Sequence, residues 1–278
     1  MTTTLRPTGP IRRSGGALAR DYDVCVNGRP VGAVALAAEP GPGLMVGRIL
    51  ALHIEPSDRG RGRGTVAALA AEEVLRGWDC AEVRLAVEEG AEPALRLAGA
   101  LGYTARARTM AKVTGGPPPA LPDGAEARPL DPAGYDRWRE AAVGSFARTL
   151  AAQGFPESAA LAHSERAHAE LLPEGLATPG TRILCLYASG ECVGRIWIAE
   201  RDTGRGAREA FVFDVEVAEP HRGRGHGRTL MLFAEHTARE AGLDRVGLNV
   251  FEGNTPALRL YESLGYRTTH RNLAKRLL

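Results

Sequence analysis

The chain is poor in several features that would narrow its reading at once. Its 278 residues include four cysteines, Cys25, Cys80, Cys185 and Cys192. No two form a CxxC pair and none stands at zinc-ligand spacing from histidines, so no metal site and no disulfide scaffold is expected. Their spacing points to a reducing, cytoplasmic setting. No stretch approaches the ~18–20 apolar residues of a membrane span, and the opening MTTTLRPTGPIRRSGG lacks the apolar core of a signal peptide, so no membrane partner is expected. Lysine is almost missing. Only Lys112 and Lys275 occur, and the remaining positive charge is arginine, which reads as codon bias in a GC-rich genome. Thirty-five basic residues face 33 acidic ones for a formal net charge of +2. A nucleic-acid-binding domain normally carries a strong basic excess or stripe, so nucleic acid is not expected as a partner.

What the chain does have is length for two modest domains, a hydrophobic fraction of 44%, and an internal repeat. RGRGRG at Arg59–Gly64 returns as RGRGHG at Arg222–Gly227, an offset of 163 residues. The same offset carries EEGAEPALRLAGALGY (Glu88–Tyr103) onto FEGNTPALRLYESLGY (Phe251–Tyr266), and Ala111-Lys112 onto Ala274-Lys275. Upstream, GRPVGAVAL (Gly28–Leu36) resembles GECVGRIWI (Gly190–Ile198) at an offset one residue shorter. Between the copies, VTGGPPPALPDG can neither continue a helix nor lie inside a sheet. The expected organisation is therefore an N-terminal domain over 1–113, a linker over 114–124 and a C-terminal domain over 125–278. The second copy also has about fifty extra residues, Glu126 to Gly180, ahead of its hairpin.

In that second copy, Tyr135–Leu150 and Ser158–Leu172 have helical spacing, with Trp138, Phe146 and Leu150 as the buried face of the first helix. TRILCLY and CVGRIWIA around Ser189-Gly190 read as a β-hairpin. AFVFDVEVA alternates, which predicts Phe211, Phe213, Val215 and Val217 on one face and Val212, Asp214 and Glu216 on the other. After the glycine loop, Leu230, Phe233, Thr237 and Ala241 form one stripe of an amphipathic helix. RVGLNVF is a strand, and NTPALRLYESLG a short helix capped by Asn254 or Thr255, with Pro256 at its first position and Gly265 past its end. The element order β, α, α, β, β, β, loop, α, β, α, β predicts an α/β fold around a mixed sheet, repeated in tandem.

A strand, R-G-R-G-H-G, then a helix is an arrangement that holds phosphate. Glycines let the backbone turn and point successive N–H groups inward, and the helix adds its unpaired N–H groups and dipole. Arg222, Arg224 and Arg228 can add charge. The loop lacks the GxxxxGK(S/T) spacing of triphosphate sites and the GxGxxG spacing of dinucleotide sites.

VEVAEPHRGRGHG, followed some thirty residues later by NVFEGNTPALRLYESLGY, resembles the GCN5-related N-acetyltransferase family. The family pattern Q/R-x-x-G-x-G/A is met by Arg222, Gly225 and Gly227, and again by Arg59, Gly62 and Gly64. The resemblance implies acetyl-CoA as co-substrate and a small-molecule amine as acceptor. It implies that backbone groups of Val215, Glu216 and Val217 align pantetheine, and that Gly223, Arg224, Gly225, His226, Gly227 and Arg228 cradle the pyrophosphate. It likewise implies that Asn254 holds the cofactor arm and that Tyr261 protonates the leaving thiolate. Some members carry a base where this chain has Asn249, so Glu216 or Asp214 is the expected base. No cysteine falls on the motif, which favours direct attack over an acyl-enzyme.

In the first copy the loop Arg59, Gly60, Arg61, Gly62, Arg63, Gly64 is retained as a second candidate cofactor site. Tyr261, Asn254, Glu216 and Asp214 become Ala98, Ala91, His53 and Ala51. That copy is expected to be structural, the second catalytic. A tandem layout with a silent half also resembles the mycothiol synthases. The rival from another class is a non-catalytic acyl-CoA sensor. A monomer is favoured, since two such domains can pair within one chain.

Overall fold

The computed structural model describes residues 2–117, 119–204 and 206–277; Pro118, within the expected linker, lies outside them. The strands are β1 (Thr3–Pro7), β2 (Arg12–Ser14), β3 (Ala17–Val26), β4 (Arg29–Pro40), β5 (Met45–Ile54), β6 (Cys80–Glu88) and β7 (Thr104–Val113), then β8 (Glu126–Pro129), β9 (Thr181–Ala188), β10 (Glu191–Asp202), β11 (Arg208–Val217), β12 (Arg245–Phe251) and β13 (Arg267–Arg276). The helices are α1 (Arg63–Arg76), α2 (Glu92–Ala100), α3 (Pro132–Ala152), α4 (Glu157–Leu171), α5 (His226–Glu240) and α6 (Thr255–Ser263). From β8 onward the order matches the one expected for the second copy. β1 and β2 were not legible, because MTTTLRPTGPIRRSGG has no sustained alternation.

Two compact units result, and neither is one continuous stretch. The first comprises the described residues of 1–107, 153–160 and 270–278; the second comprises 108–152 and 161–269. The sheet of the first runs β1-β3-β4-β5-β6-β13, with β2 on β3. Its last strand comes from the end of the chain: β13 pairs antiparallel with β6 from His270↔Glu88 to Arg276↔Glu82. The sheet of the second runs β8-β9-β10-β11-β12-β7, so a strand from the first repeat closes it. Met110 of β7 is 1% exposed among Leu230, Met231, Leu248 and Tyr266, while its repeat counterpart Leu273 lies with Leu75, Val83 and Tyr103. Both are apolar strand residues that bury in a core built mainly by the other repeat.

In the second unit, α5 covers one face of the sheet and α3 with α4 the other. Ile196, Ile198, Val212 and Leu248 meet Leu230, Met231, Ala234 and Ala238 on the first face. The core stripe of α5 is therefore rotated from the one expected: Leu230, Met231, Ala234 and Ala238 lead it, Phe233 lies at its margin, and Ala241 falls beyond the helix. On the other face Trp138, Leu172, Ile183, Cys185 and Trp197 pack together, with Phe213 against them. Trp138 and Leu150 bury as expected from α3, Val143 joins them, and Phe146 is half-buried. Ser189 (φ 52°) and Gly190 (φ 82°) form the β9–β10 turn, both left-handed as a two-residue hairpin turn requires.

Candidate active site

The site begins with a break in alternation. β10 and β11 pair antiparallel, but Trp197 faces Asp214 while Ile198 faces Val212, so Phe213 is an extra residue bulged out of register. The bulge reverses the phase of the strand. Phe213 packs with Trp138 and Trp197, whereas Val215 and Val217 turn to the α5 side with Val212. This corrects the expected grouping of Phe211, Phe213, Val215 and Val217, since strict alternation holds only where no residue is inserted. A bulge stands at the equivalent place in the first unit: Ala35 faces Ala51 and Leu36 faces Ile49, leaving Leu50 extra.

Beyond each bulge the neighbouring parallel strand is left behind. β11 pairs with β12 only from Ala210↔Val246 to Val212↔Leu248. Val215, Glu216 and Val217 thus follow the last residue paired to β12, at the mouth of an opening wedge. β5 pairs with β6 from Met45↔Cys80 to Arg48↔Arg84 and stops likewise. Gly194 on β10 permits the bulged strand to approach. A Cβ there would stand 2.7 Å from the Glu216 carbonyl oxygen and 3.0 Å from Leu230 Cδ1.

The loop after β11 enters α5 through two left-handed residues, Gly223 (φ 75°) and Gly225 (φ 85°), the latter capping the helix. Open space surrounds both, so their conformation and not crowding demands glycine. Gly227 differs: it lies in the first turn, where a Cβ would meet Leu260 Cδ2 of α6 at 3.2 Å. Arg224 is exposed, and His226 is half-buried beside His221, ring centroids 6.3 Å apart. Arg222 donates its Nε to the Val217 carbonyl at 3.1 Å and ties the loop to the strand end. Arg228 donates to Ser263 Oγ at 2.7 Å.

The first-copy loop has the same backbone: Gly60 and Gly62 both sit at φ 72°, and Arg59 donates to Ile54 O at 2.7 Å. Its side chains are used differently. Arg63 is buried and ion-paired to the buried Asp58, which Arg29 also meets at 2.8 Å. Arg61 is exposed and Gly64 half-buried.

Asp214 and Glu216 share the α3/α4 face of β11, opposite Trp197 and Arg195 of β10. Burial, with the charge of Glu216 adding to it, pushes the Asp214 carboxyl up to about 6. The Trp197 ring stacks on Phe213 at 4.9 Å and meets Trp138 edge-on at 5.6 Å. His168 stands 5.5 Å from Trp197, with Nδ1 2.8 Å from Ser164 O, and burial lowers its pKa. Across the wedge, α6 is capped by Asn254, whose Oδ1 accepts from Ala257 N at 3.2 Å. Tyr261 is buried on that helix, and burial together with the Asp214 charge pushes its phenol up to about 12. The structure therefore gathers a helix-capped glycine turn, a wedge with unshared strand edges, a carboxylate of raised basicity and a phenol that stays protonated. Trp197 and Arg195 were missed from the sequence; the signal available was their place two residues apart on the strand paired to Asp214 and Glu216.

In the first unit the corresponding face presents Ala33 and Ala35 opposite His53 and Ala51. α2 starts at Ala91 with no side-chain cap, and Ala98 fills the place of Tyr261. Among the described residues no helix is long and apolar enough to cross a membrane.

The acetyltransferase (GNAT) family matches the chain twice, over residues 11–103 and 147–266. A mycothiol acetyltransferase of Thermobispora bispora is 34% identical over 227 residues, 77% of this chain and 71% of that protein. The uncharacterized N-acetyltransferase YycN of Bacillus subtilis is 33% identical over 123 residues, 44% of this chain and 78% of the other. Among solved structures, a GCN5-related N-acetyltransferase from Sphaerobacter thermophilus aligns at TM-score 0.62 and 24% identity, covering 92% of this chain and 80% of that one. A tandem GNAT protein from the clavulanic acid biosynthesis pathway aligns at TM-score 0.54 and 21% identity, covering 95% and 84%. Both likenesses are of fold.

Proposed function

Because the chain belongs to the acetyltransferase (GNAT) family, we propose that it moves an acetyl group from acetyl-CoA to the primary amine of a small molecule, and that the second repeat carries the reaction. One contrast supports this above all. Both repeats keep the bulge, the wedge and the glycine turn, but only the second has Asp214, Glu216, Asn254 and Tyr261, where the first has Ala51, His53, Ala91 and Ala98.

The residues fit the co-substrate. Gly223, Gly225 and the first turn of α5 offer N–H groups to a pyrophosphate. Past Val212, the edge of β11 is free to align an extended arm through Val215, Glu216 and Val217. Asn254 uses its Oδ1 as helix cap, which leaves its amide N–H groups to donate to that arm.

The incoming ammonium gives a proton to Asp214, directly or through water; Glu216 is the other carboxylate in reach of that role. The neutral amine attacks the thioester carbonyl, the C–S bond breaks, and Tyr261 supplies the proton that the thiolate takes. The extra proton on the new amide nitrogen then restores the phenol, directly or through water. A carboxyl near 6 is mostly ionised at neutral pH yet more basic than an ordinary aspartate. A phenol near 12 is protonated at neutral pH and so has a proton to give.

A second reading follows from the Thermobispora bispora relative: the acceptor is the amine of a mycothiol precursor. Thiol release from acetyl-CoA, read over a panel of amines that includes this precursor, decides between the readings. Release with wild type and a fall of about 10²–10⁴-fold in Tyr261→Phe is expected. Saturable acetyl-CoA binding without release on any amine would leave a sensor, and undiminished release in Tyr261→Phe would remove Tyr261 from the mechanism.

A further inference from the structure

Residues 108–113 of β7 belong by sequence to the first repeat and by packing to the second unit. The first of them, Arg108, grips Glu252 with two parallel hydrogen bonds, Nε to Oε1 at 3.0 Å and Nη2 to Oε2 at 2.9 Å. Its Nη1 also stands 3.9 Å from Glu262 Oε1. Glu252 lies in the turn just before Asn254, and Glu262 directly follows Tyr261. One guanidinium thus holds the turn that leads into α6, the helix with both groups proposed to act on acetyl-CoA, and lies near a carboxylate of its last turn. Beside it, the Thr109 hydroxyl donates to Asn249 Oδ1 of β12 at 2.8 Å.

We propose that Arg108 is a positioning residue for Asn254 and Tyr261, so that the repeat without an acid or base supplies part of the other repeat's active site. The inference rests on the reading that these two residues serve acetyl transfer. α6 has nine residues, too few to hold its own shape or place in water, so its position depends on contacts made to it. Arginine suits the task because its planar fork engages a carboxylate in one fixed geometry. The pair is also about three-quarters shielded from solvent on both sides, which limits screening.

The repeat contains its own control. On β13, Arg271 grips Glu89 through Nε at 2.9 Å and Nη2 at 3.0 Å, the same contact 163 residues on. That pair stands before α2, where Ala91, Ala98 and Gly99 occupy the places of Asn254, Tyr261 and Glu262. The first-repeat helix has neither the reactive groups nor the second carboxylate. The same arginine–carboxylate fork at two places, with reactive side chains beside only one, separates positioning from plain stabilisation.

The test uses the full chain with Arg108→Ala, Arg108→Lys, Arg271→Ala and Tyr261→Phe. It measures thermal unfolding, calorimetric titration with acetyl-CoA, and thiol release with an accepted amine, or with water if none is accepted. Arg108→Ala and Arg271→Ala should both lower the melting temperature, Arg108→Ala the more, since its pair is better shielded. Arg108→Ala should lose on the order of 10–100-fold in turnover, as a displacement of about 1 Å can cost, while Arg271→Ala stays within about twofold. Arg108→Lys, which keeps the charge and loses the fork, should fall between wild type and Arg108→Ala. Should Arg108→Ala not fold, Arg108→Lys and Glu252→Gln read the same contact. Equal turnover in the Arg108 and Arg271 variants, with Tyr261→Phe silent, overturns the proposal. Full activity in Tyr261→Phe, or no release by wild type, fails the underlying reading instead. Acetyl-CoA affinity then decides: several-fold weakening in Arg108→Ala alone supports positioning of Asn254, and equal affinity in both overturns it.

Discussion

Lys112 donates to both carboxylate oxygens of Glu235, at 2.7 and 2.8 Å, and Glu235 is 1% exposed. Lys112 Nζ also stands 5.9 Å from the centroid of Tyr266. The same trio recurs in the first unit, where Lys275 donates to Glu72 at 2.7 Å and lies 5.6 Å from Tyr103. These are the only two lysines in the chain. Both lysines thus stand at equivalent places in the two repeats. In each trio a compact ammonium on a flexible stem lies beside a tyrosine ring and against a buried carboxylate.

Replacing Lys112 by Met should therefore destabilise the protein by about 3 kcal/mol, because it strands the buried charge of Glu235. A double replacement, Lys112→Met with Glu235→Leu, should recover most of the loss. Urea unfolding of the three proteins measures both; a single variant as stable as wild type would refute the pairing argument.

Asp214 makes a pH-dependent contribution of defined sign. It ionises near its ordinary 3.8 when unfolded and at about 6 when folded. The folded state holds the proton more tightly, so stability falls as pH rises between these values. Asp214→Asn should leave stability unchanged near about pH 3 and raise it by on the order of 2 kcal/mol at about pH 8, less where solvent screens the site. With Asp214 as base, the rate profile should rise with pH around 6 and the Asn variant should lose that limb. A limb surviving in Asp214→Asn assigns the base to Glu216.

Gly194→Ala probes the wedge. The new methyl would press on the Glu216 carbonyl and Leu230, an overpacking worth about 1–3 kcal/mol. It should also weaken acetyl-CoA binding in a calorimetric titration, since the displaced backbone is the stretch proposed to align the arm. Gly253→Ala, where a Cβ meets nothing within 4 Å, serves as the neutral comparison.

Asn254 performs a structural task that can be separated from the proposed one. Asn254→Ala should lose about 1 kcal/mol with the helix cap. Asn254→Asp restores the cap, as its carboxylate accepts from Ala257 N, but it has no amide N–H to donate. Stability equal to wild type with weakened acetyl-CoA binding is the expected result for Asp; unweakened binding would limit Asn254 to capping.

Local signals were read well where chemistry is local. Gly223 and Gly225 adopt the left-handed turn that their spacing announced, Asn254 caps α6, and Ser189-Gly190 closes its hairpin. The stripe of α5 was misplaced because Met231 and Ala234 are apolar too, and only the sheet beneath selects between them and Phe233. β11 was misread after Phe213 because one inserted residue flips every later side chain and leaves no mark in composition.

By itself the sequence determined the repeat, the two glycine turns, the order of elements from β8 onward and the asymmetry between the copies, since each depends on residue type at short spacing. Only the tertiary structure decided which strand closes which sheet. The repeat aligned Lys112 with Lys275, but nothing local could say that Lys112 meets Glu235, 123 residues on, rather than Glu72 on the helix of its own repeat. Strand pairing is a choice between similar edges; here Met110 and Leu273 each bury in a core built mainly by the other repeat, and those cores exist only once the chain has folded.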